Sequence, residues 1–204
     1  MALNFLTSHW GENKNMKIGL LGGSFNPAHK GHIYISEMAL KKMNLDEVWW
    51  LVSPQNPLKS SQGMASFEQR YDYAKKIITN SKIKVSNIEQ ELGTRYTVDT
   101  ISRLKQIYKS YKFVWIMGAD NLEQIPKWKN WKKIFNLVPI AVFDRNQYSL
   151  RIKFLKAAKT FKKQKIEGAK LFRLCYFKAP AWGFFRIKNN PLSSTDIRKN
   201  NFHY

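Results

Sequence analysis

Apolar positions along this chain follow two rhythms that take turns. Unbroken runs recur at Lys17-Ile18-Gly19-Leu20-Leu21, at Asp46 to Ser53, at Phe113 to Met117 and at Val138 to Phe143; runs of this kind predict strands buried on both faces. Ile83 to Ile88 alternates and predicts another strand, and the apolar run Leu171 to Phe177 predicts a further one. Between the runs the spacing becomes helical. Ile33, Ile35, Met38, Ala39 and Met43 mark one helix, and Tyr71, Ala74, Ile77 and Ile78 mark a second from about Phe67 to Thr79. A third starts at Thr97 and runs through Tyr108, and Leu150 to Phe161 predicts an amphipathic basic helix. Strands and helices alternate nearly throughout, which predicts an α/β chain built on a single doubly wound parallel sheet with helices on both faces. No internal repeat, low-complexity tract or linker interrupts that order.

Composition narrows the picture. At 204 residues the chain has room for one sizeable domain rather than two. No apolar run approaches the roughly 18 residues of a membrane helix, and residues 1–15 lack the layout of a secretory signal, so the expected location is the cytoplasm. The single cysteine, Cys175, has no partner for an internal disulfide, and its place in Leu171–Phe177 makes it an expected buried strand residue. No Cys/His cluster has zinc spacing. The net charge of +21 points first to a polyanionic partner. Of the basic residues, however, 27 are lysines spread over nearly every segment and only eight are arginines. Lysine is a hydrated point charge, poorer than arginine for planar, bidentate recognition. The excess therefore reads as a solvated surface that concentrates anionic substrates, with incidental RNA binding at low salt.

The most informative chemistry lies between the first strand and the first helix, in Gly22-Gly23-Ser24-Phe25-Asn26-Pro27-Ala28-His29-Lys30-Gly31-His32. Glycines at such a junction allow close approach and unusual dihedrals, and the first helical turn offers unpaired N–H groups and the positive end of the dipole to an anion. With Asn26 as cap and Pro27 as the first helical residue, His29 and His32 project from one side of the first turn. This is neither a P-loop nor Gly-x-Gly-x-x-Gly. Near the other end, Leu192-Ser193-Ser194-Thr195-Asp196-Ile197-Arg198 joins clustered hydroxyls to an arginine suited to phosphate.

The first segment resembles the Gly-Gly-Ser-Phe-Asn-Pro-x-His-x-Gly-His signature of the nucleotidylyltransferase superfamily, and the second resembles the Ser-Ser-Thr-x-Ile-Arg segment with which that superfamily closes its triphosphate site. The resemblance implies a Rossmann-like fold. It assigns ATP binding to Gly22, Gly23, Ser24, Phe25, His29, His32, Ser194, Thr195 and Arg198, and catalysis to His29, His32, Lys59 and Arg198. Gly118-Ala119-Asp120-Asn121 followed by Trp128, and Arg95-Tyr96-Thr97-Val98-Asp99-Thr100, resemble the acceptor region of bacterial nicotinate-nucleotide adenylyltransferases. That resemblance gives Thr97 and Trp128 to a nicotinate pocket and Asp120 to a ribose or metal-proximal contact; an aromatic wall beside N–H donors suits a pyridine ring bearing a carboxylate. Trp131 reads as helix packing, and Asp99 as part of its own helix's first turn. Met16-Lys17-Ile18 resembles the usual family start, which sets residues 1–15 apart from a nucleotidylyltransferase domain at 16–204.

The implied reaction is in-line attack by the phosphate of nicotinate mononucleotide on the α-phosphorus of ATP, giving deamido-NAD and pyrophosphate. Catalysis then rests on positioning and charge neutralisation. Mg²⁺ is expected on the ATP phosphates, mostly water-ligated, and no residue is assigned as its ligand. Three alternatives stand beside this reading: the same transfer to nicotinamide mononucleotide, transfer to phosphopantetheine, and a catalytically weak, basic RNA-binding protein that retains the fold. Oligomeric state is open, a homo-oligomer included.

Overall fold

The computed structural model describes residues 15–54, 63–144 and 151–187. The first strand, β1 (Lys17–Gly23), is followed by α1 (Lys30–Met43), β2 (Glu47–Val52), α2 (Phe67–Ile77) and β3 (Ile83–Ser86). A one-turn α3 (Ile88–Glu91) and a longer α4 (Thr97–Ile107) lead to β4 (Lys112–Gly118). Next come α5 (Ala119–Gln124), a 3₁₀ turn (Ile125–Lys127), α6 (Trp131–Leu137) and β5 (Ile140–Asp144). The strands form one seven-stranded sheet in the order β3-β2-β1-β4-β5-β7-β6, where β6 is Lys165–Ile166 and β7 is Trp182–Arg186. Every pairing is parallel.

Both sheet faces are covered, which is why the strands read as solid apolar runs. Alternate residues feed two cores. Ile18, Leu20, Trp49, Leu51, Trp115 and Met117 pack with Val98, Ile101 and Leu104 of α4, whereas Leu21, Val48, Trp50, Val52, Val114 and Ile116 pack with Ile35, Ala39 and Met43 of α1. Among the described residues no helix is long and apolar enough to cross a membrane.

Three expected elements differ. Leu171–Phe177 is not a strand but part of a 3₁₀ helix, Gly168–Tyr176. Its burial falls on Leu174 and Cys175 while Phe172 and Tyr176 are each 53% exposed, a spacing near three rather than two. Gly183 of β7 lets it lie close, since a Cβ there would come 2.3 Å from Leu171 Cδ2. Cys175 is therefore buried, as expected, but helical; burial pushes its thiol pKa up, more than Lys17 and Lys112 pull it down. The run from Leu150 is not one helix: within the described part a 3₁₀ turn (Ile152–Phe154) and α7 (Lys156–Thr160) meet at an extended Leu155. At about 100° per residue, a continuous helix would point Ile152 away from Ala157, Ala158 and Phe161; the break lets all four bury in one core. Finally, β3 ends at Ser86, whose Oγ accepts from the Ile88 N–H at 3.1 Å, and Ile88 opens α3 instead of extending the strand.

Candidate active site

In the sheet order, β1 and β4 are neighbours, yet the chain leaves β1 toward β2 and leaves β4 toward β5. Their C-terminal ends, Gly23 and Gly118, flank the switch point where open α/β sheets form a ligand crevice.

Gly22 and Gly23 are the last residues of β1 rather than the turn itself, and neither takes a left-handed φ. Gly22 supplies room: a Cβ there would lie 2.4 Å from Cη2 of the buried Trp115. The bend is made one residue beyond Ser24, at Phe25, with φ 47°. The helix then starts at Lys30, later than the sequence predicts, and its cap is His29 rather than Asn26. Asn26 is committed elsewhere: its side chain donates to Gly63 O at 3.3 Å and accepts from Ala65 N–H at 3.2 Å.

The two histidines build the cap themselves. His29 Nδ1 accepts from the Gly31 N–H at 3.1 Å, and His32 Nδ1 accepts from the His29 N–H at 3.2 Å. This is a capping box with imidazoles where Ser/Thr and Glu/Gln usually stand. With Nδ1 accepting, each neutral ring carries its proton on Nε2, so both are Nε2–H donors. The rings lie 3.9 Å apart. Phe25 packs on His32 at 4.8 Å and stacks on Trp50 at 4.9 Å. Trp50 Nε1–H donates to Ser36 Oγ, which donates to His32 O. Helix capping thus uses only the Nδ1 nitrogen of each ring.

Two buried charged residues support this edge, and sequence reasoning missed both. Arg70, 1% exposed, donates to Ser24 O at 2.6 Å, Ser53 O at 2.8 Å, Pro54 O at 2.9 Å and Ala65 O at 3.1 Å. One guanidinium therefore fastens the segments after β1 and β2 to the start of α2. A charged residue four positions before Ala74, on the buried stripe of α2, was the available signal. Glu89, 6% exposed, accepts from Thr100 Oγ1 at 3.3 Å. Burial pushes its carboxyl up to about 7, against hydrogen bonds from Thr100 and Ser53 that pull it down. Nothing in its sequence spacing marks it.

On the other side, Thr97 opens α4 and no side chain from the cap residue Tyr96 closes that turn. Asp99 lies in the same turn, as expected, and pairs with Lys129 at 3.3 Å. Lys129 Nζ also stands 4.3 Å over the Tyr96 ring. Its neighbour Trp128 meets Trp115 edge-on at 6.3 Å. The Thr97 and Trp128 segments are thereby brought together by Lys129, and Trp115 links Trp128 back to Gly22. Asp120 stands in the first turn of α5, directly after β4. Trp131 packs on Phe135 and Phe161 at 6.0 and 5.9 Å, the packing role expected of it. Ser24 Oγ and Trp115 Nε1 are buried with no hydrogen-bond partner among the described residues. Lys59, Ser194, Thr195 and Arg198 lie outside the described residues.

Comparison with known proteins agrees with this layout. The cytidylyltransferase-like family model matches residues 20–200. The chain is 47% identical over 184 residues to the protein named "Probable nicotinate-nucleotide adenylyltransferase" of Parvibaculum lavamentivorans, covering 90% of this chain and 92% of that one. A protein of the same name from Ruegeria sp. is 41% identical, covering 90% and 97%. Among solved structures, the Plasmodium falciparum nicotinic acid mononucleotide adenylyltransferase complexed with NaAD superposes with a TM-score of 0.68 at 20% identity, covering 91% of this chain and 83% of that one. This last likeness speaks to fold.

Proposed function

We infer that this chain, which belongs to the cytidylyltransferase-like family and within it to the nicotinate-nucleotide adenylyltransferases, transfers AMP from ATP to nicotinate mononucleotide, forming deamido-NAD and pyrophosphate. The geometric observation that carries the reading is the pair of histidines at the β1–β4 switch point, two imidazoles with ring centres 3.9 Å apart at the start of a helix. Such a site suits an anion that carries several oxygens.

In the reaction, an oxygen of the acceptor's phosphate bonds to the α-phosphorus as the bridging oxygen to the β-phosphorus departs with pyrophosphate. The nucleophile is already charged, so no base and no covalent protein intermediate are needed. Charge on the pentacoordinate phosphorus and the leaving group has to be met by fixed donors. We assign that task to His29 and His32, with Lys59 and Arg198 as further donors and Ser24, Ser194 and Thr195 as contacts to phosphate oxygens. Thr97 at the open first turn of α4 and Trp128 would hold the acceptor's carboxylate and ring, with Asp120 on the ribose side.

Mg²⁺ is proposed to enter with the nucleotide. It would be carried on the ATP phosphates and water; among the described residues there is no group of three or more His, Cys, Asp or Glu that could hold a metal ion. The deciding experiment measures pyrophosphate release from ATP with nicotinate mononucleotide, nicotinamide mononucleotide and phosphopantetheine in turn. The first acceptor is expected to give the highest kcat/KM. A higher value with either rival would overturn the acceptor, and no release with any of them would overturn the reaction.

A further inference from the structure

One buried acid has no part in the chemistry above. Glu89 lies in α3, between β3 and α4. Its backbone carbonyl accepts from Thr94 N–H at 2.9 Å, and its carboxylate takes the Thr100 hydroxyl at 3.3 Å. The Thr94 and Thr100 hydroxyls are 2.8 Å apart, so the strap Thr94–Tyr96 and the first turn of α4 are tied to one another and to the acid. The Ser53 side chain, just past β2, also acts on the carboxyl and pulls its pKa down. The Ser53 carbonyl is in turn held by Arg70, which also holds Ser24. A chain of contacts therefore runs from the loop before the histidines to the turn that presents Thr97.

We infer that Glu89 is a positioning residue for the acceptor: through Thr100 and Ser53 it fixes the first turn of α4, and with it Thr97, relative to the phosphate side of the crevice. Energetics favour this over a purely structural part. A buried carboxylate is costly to desolvate, and an apolar side chain of like volume commonly stabilises a fold at least as well. What a carboxylate adds is direction, because its lone pairs fix two hydroxyls from two different segments. The proposal rests on the assignment of Thr97 to the acceptor side, made above.

The test uses the full chain, with KM measured separately for ATP and nicotinate mononucleotide. Glu89→Ala is expected to raise KM for the acceptor about tenfold, the scale of one hydrogen bond to a charged group, while KM for ATP stays within about twofold. Glu89→Gln, which keeps an acceptor oxygen for Thr100, is expected to recover most of the loss. Thr100→Val, nearly isosteric and lacking the hydroxyl, should shift the same constant in the same direction and decides the matter if Glu89→Ala does not fold. Equal changes in both KM values, a fall in kcat alone, no recovery with Gln, or an unchanged acceptor KM in Thr100→Val would each overturn the role. An inactive wild-type chain would instead overturn the adenylyl-transfer reading itself, so the two failures are distinguishable.

Discussion

In the proposed reaction His32 carries two duties on two nitrogens, and a pair of substitutions separates them. In His32→Ala the His29 N–H loses its partner at 3.2 Å, and the packing on Phe25 at 4.8 Å goes with it. Loss of one cap bond costs about 1 kcal/mol; with the lost ring contact the total is about 1–2 kcal/mol, or roughly 2–8 °C in Tm for a domain of this size. The Nε2–H donor disappears too, and removing one donor to a developing oxyanion lowers kcat by about 10² or more. His32→Gln divides these effects. Glutamine is the residue usually found at this position of a capping box, so its carbonyl can take the His29 N–H and return the cap share of Tm. Its amide N–H is not fixed by a rigid ring where Nε2 stood. The assays are thermal unfolding and pyrophosphate release at saturating ATP and nicotinate mononucleotide. Gln is expected to recover about half of the Tm loss and none of the turnover. Turnover that returns with Tm would show that His32 acts only as a cap and would refute the catalytic assignment.

Other outcomes follow from the same contacts. Glu89 holds its proton up to about pH 7 in the folded chain, against an ordinary value of 4.5; its contribution to stability is therefore fully present below pH 4.5, falls as pH rises to 7, and is flat above. The loss is on the order of 3 kcal/mol, and Glu89→Gln lacks it, so urea unfolding at pH 5 and pH 8 should show the variant gaining on wild type at the higher pH; an equal difference at both would exclude the titration. Gly22→Ala must push Trp115 aside from a 2.4 Å approach at a cost of about 1–3 kcal/mol, and the shift should pass to Trp128, readable as a higher KM for nicotinate mononucleotide; unchanged stability would refute the packing. Arg70→Lys keeps the charge but cannot reach four carbonyls from one planar group, and a loss of about 2–4 kcal/mol in chemical unfolding is expected.

Much of the fold is legible in the sequence because burial on both sheet faces writes itself as solid apolar runs, and Trp49-Trp50-Leu51-Val52 could hardly be anything else. The same rule misreads Leu171–Phe177, since a short apolar run does not distinguish a strand from a helix that packs along one side. At the site, the histidine pair is legible by motif, but the helix start is not. Asn26 has every local credential of a cap and spends its side chain on Gly63 and Ala65 instead, partners some 40 residues away that no local pattern reveals. Arg70 and Lys129 escape for a related reason: what they hold is backbone or aromatic surface from other segments, and such partners leave no spacing along the chain.

Among the described residues the sheet has two edge strands, and both are brief. β3 spans four residues and β6 only two. An open border shows unpaired backbone groups to any passing chain and is a template for aggregation. Here each border carries a lysine, Lys84 on β3 and Lys165 on β6, set within a molecule of net charge +21. Two copies that approach border to border repel before they can zip together. The lysine surplus that concentrates anionic substrates would also oppose edge-to-edge addition of strands.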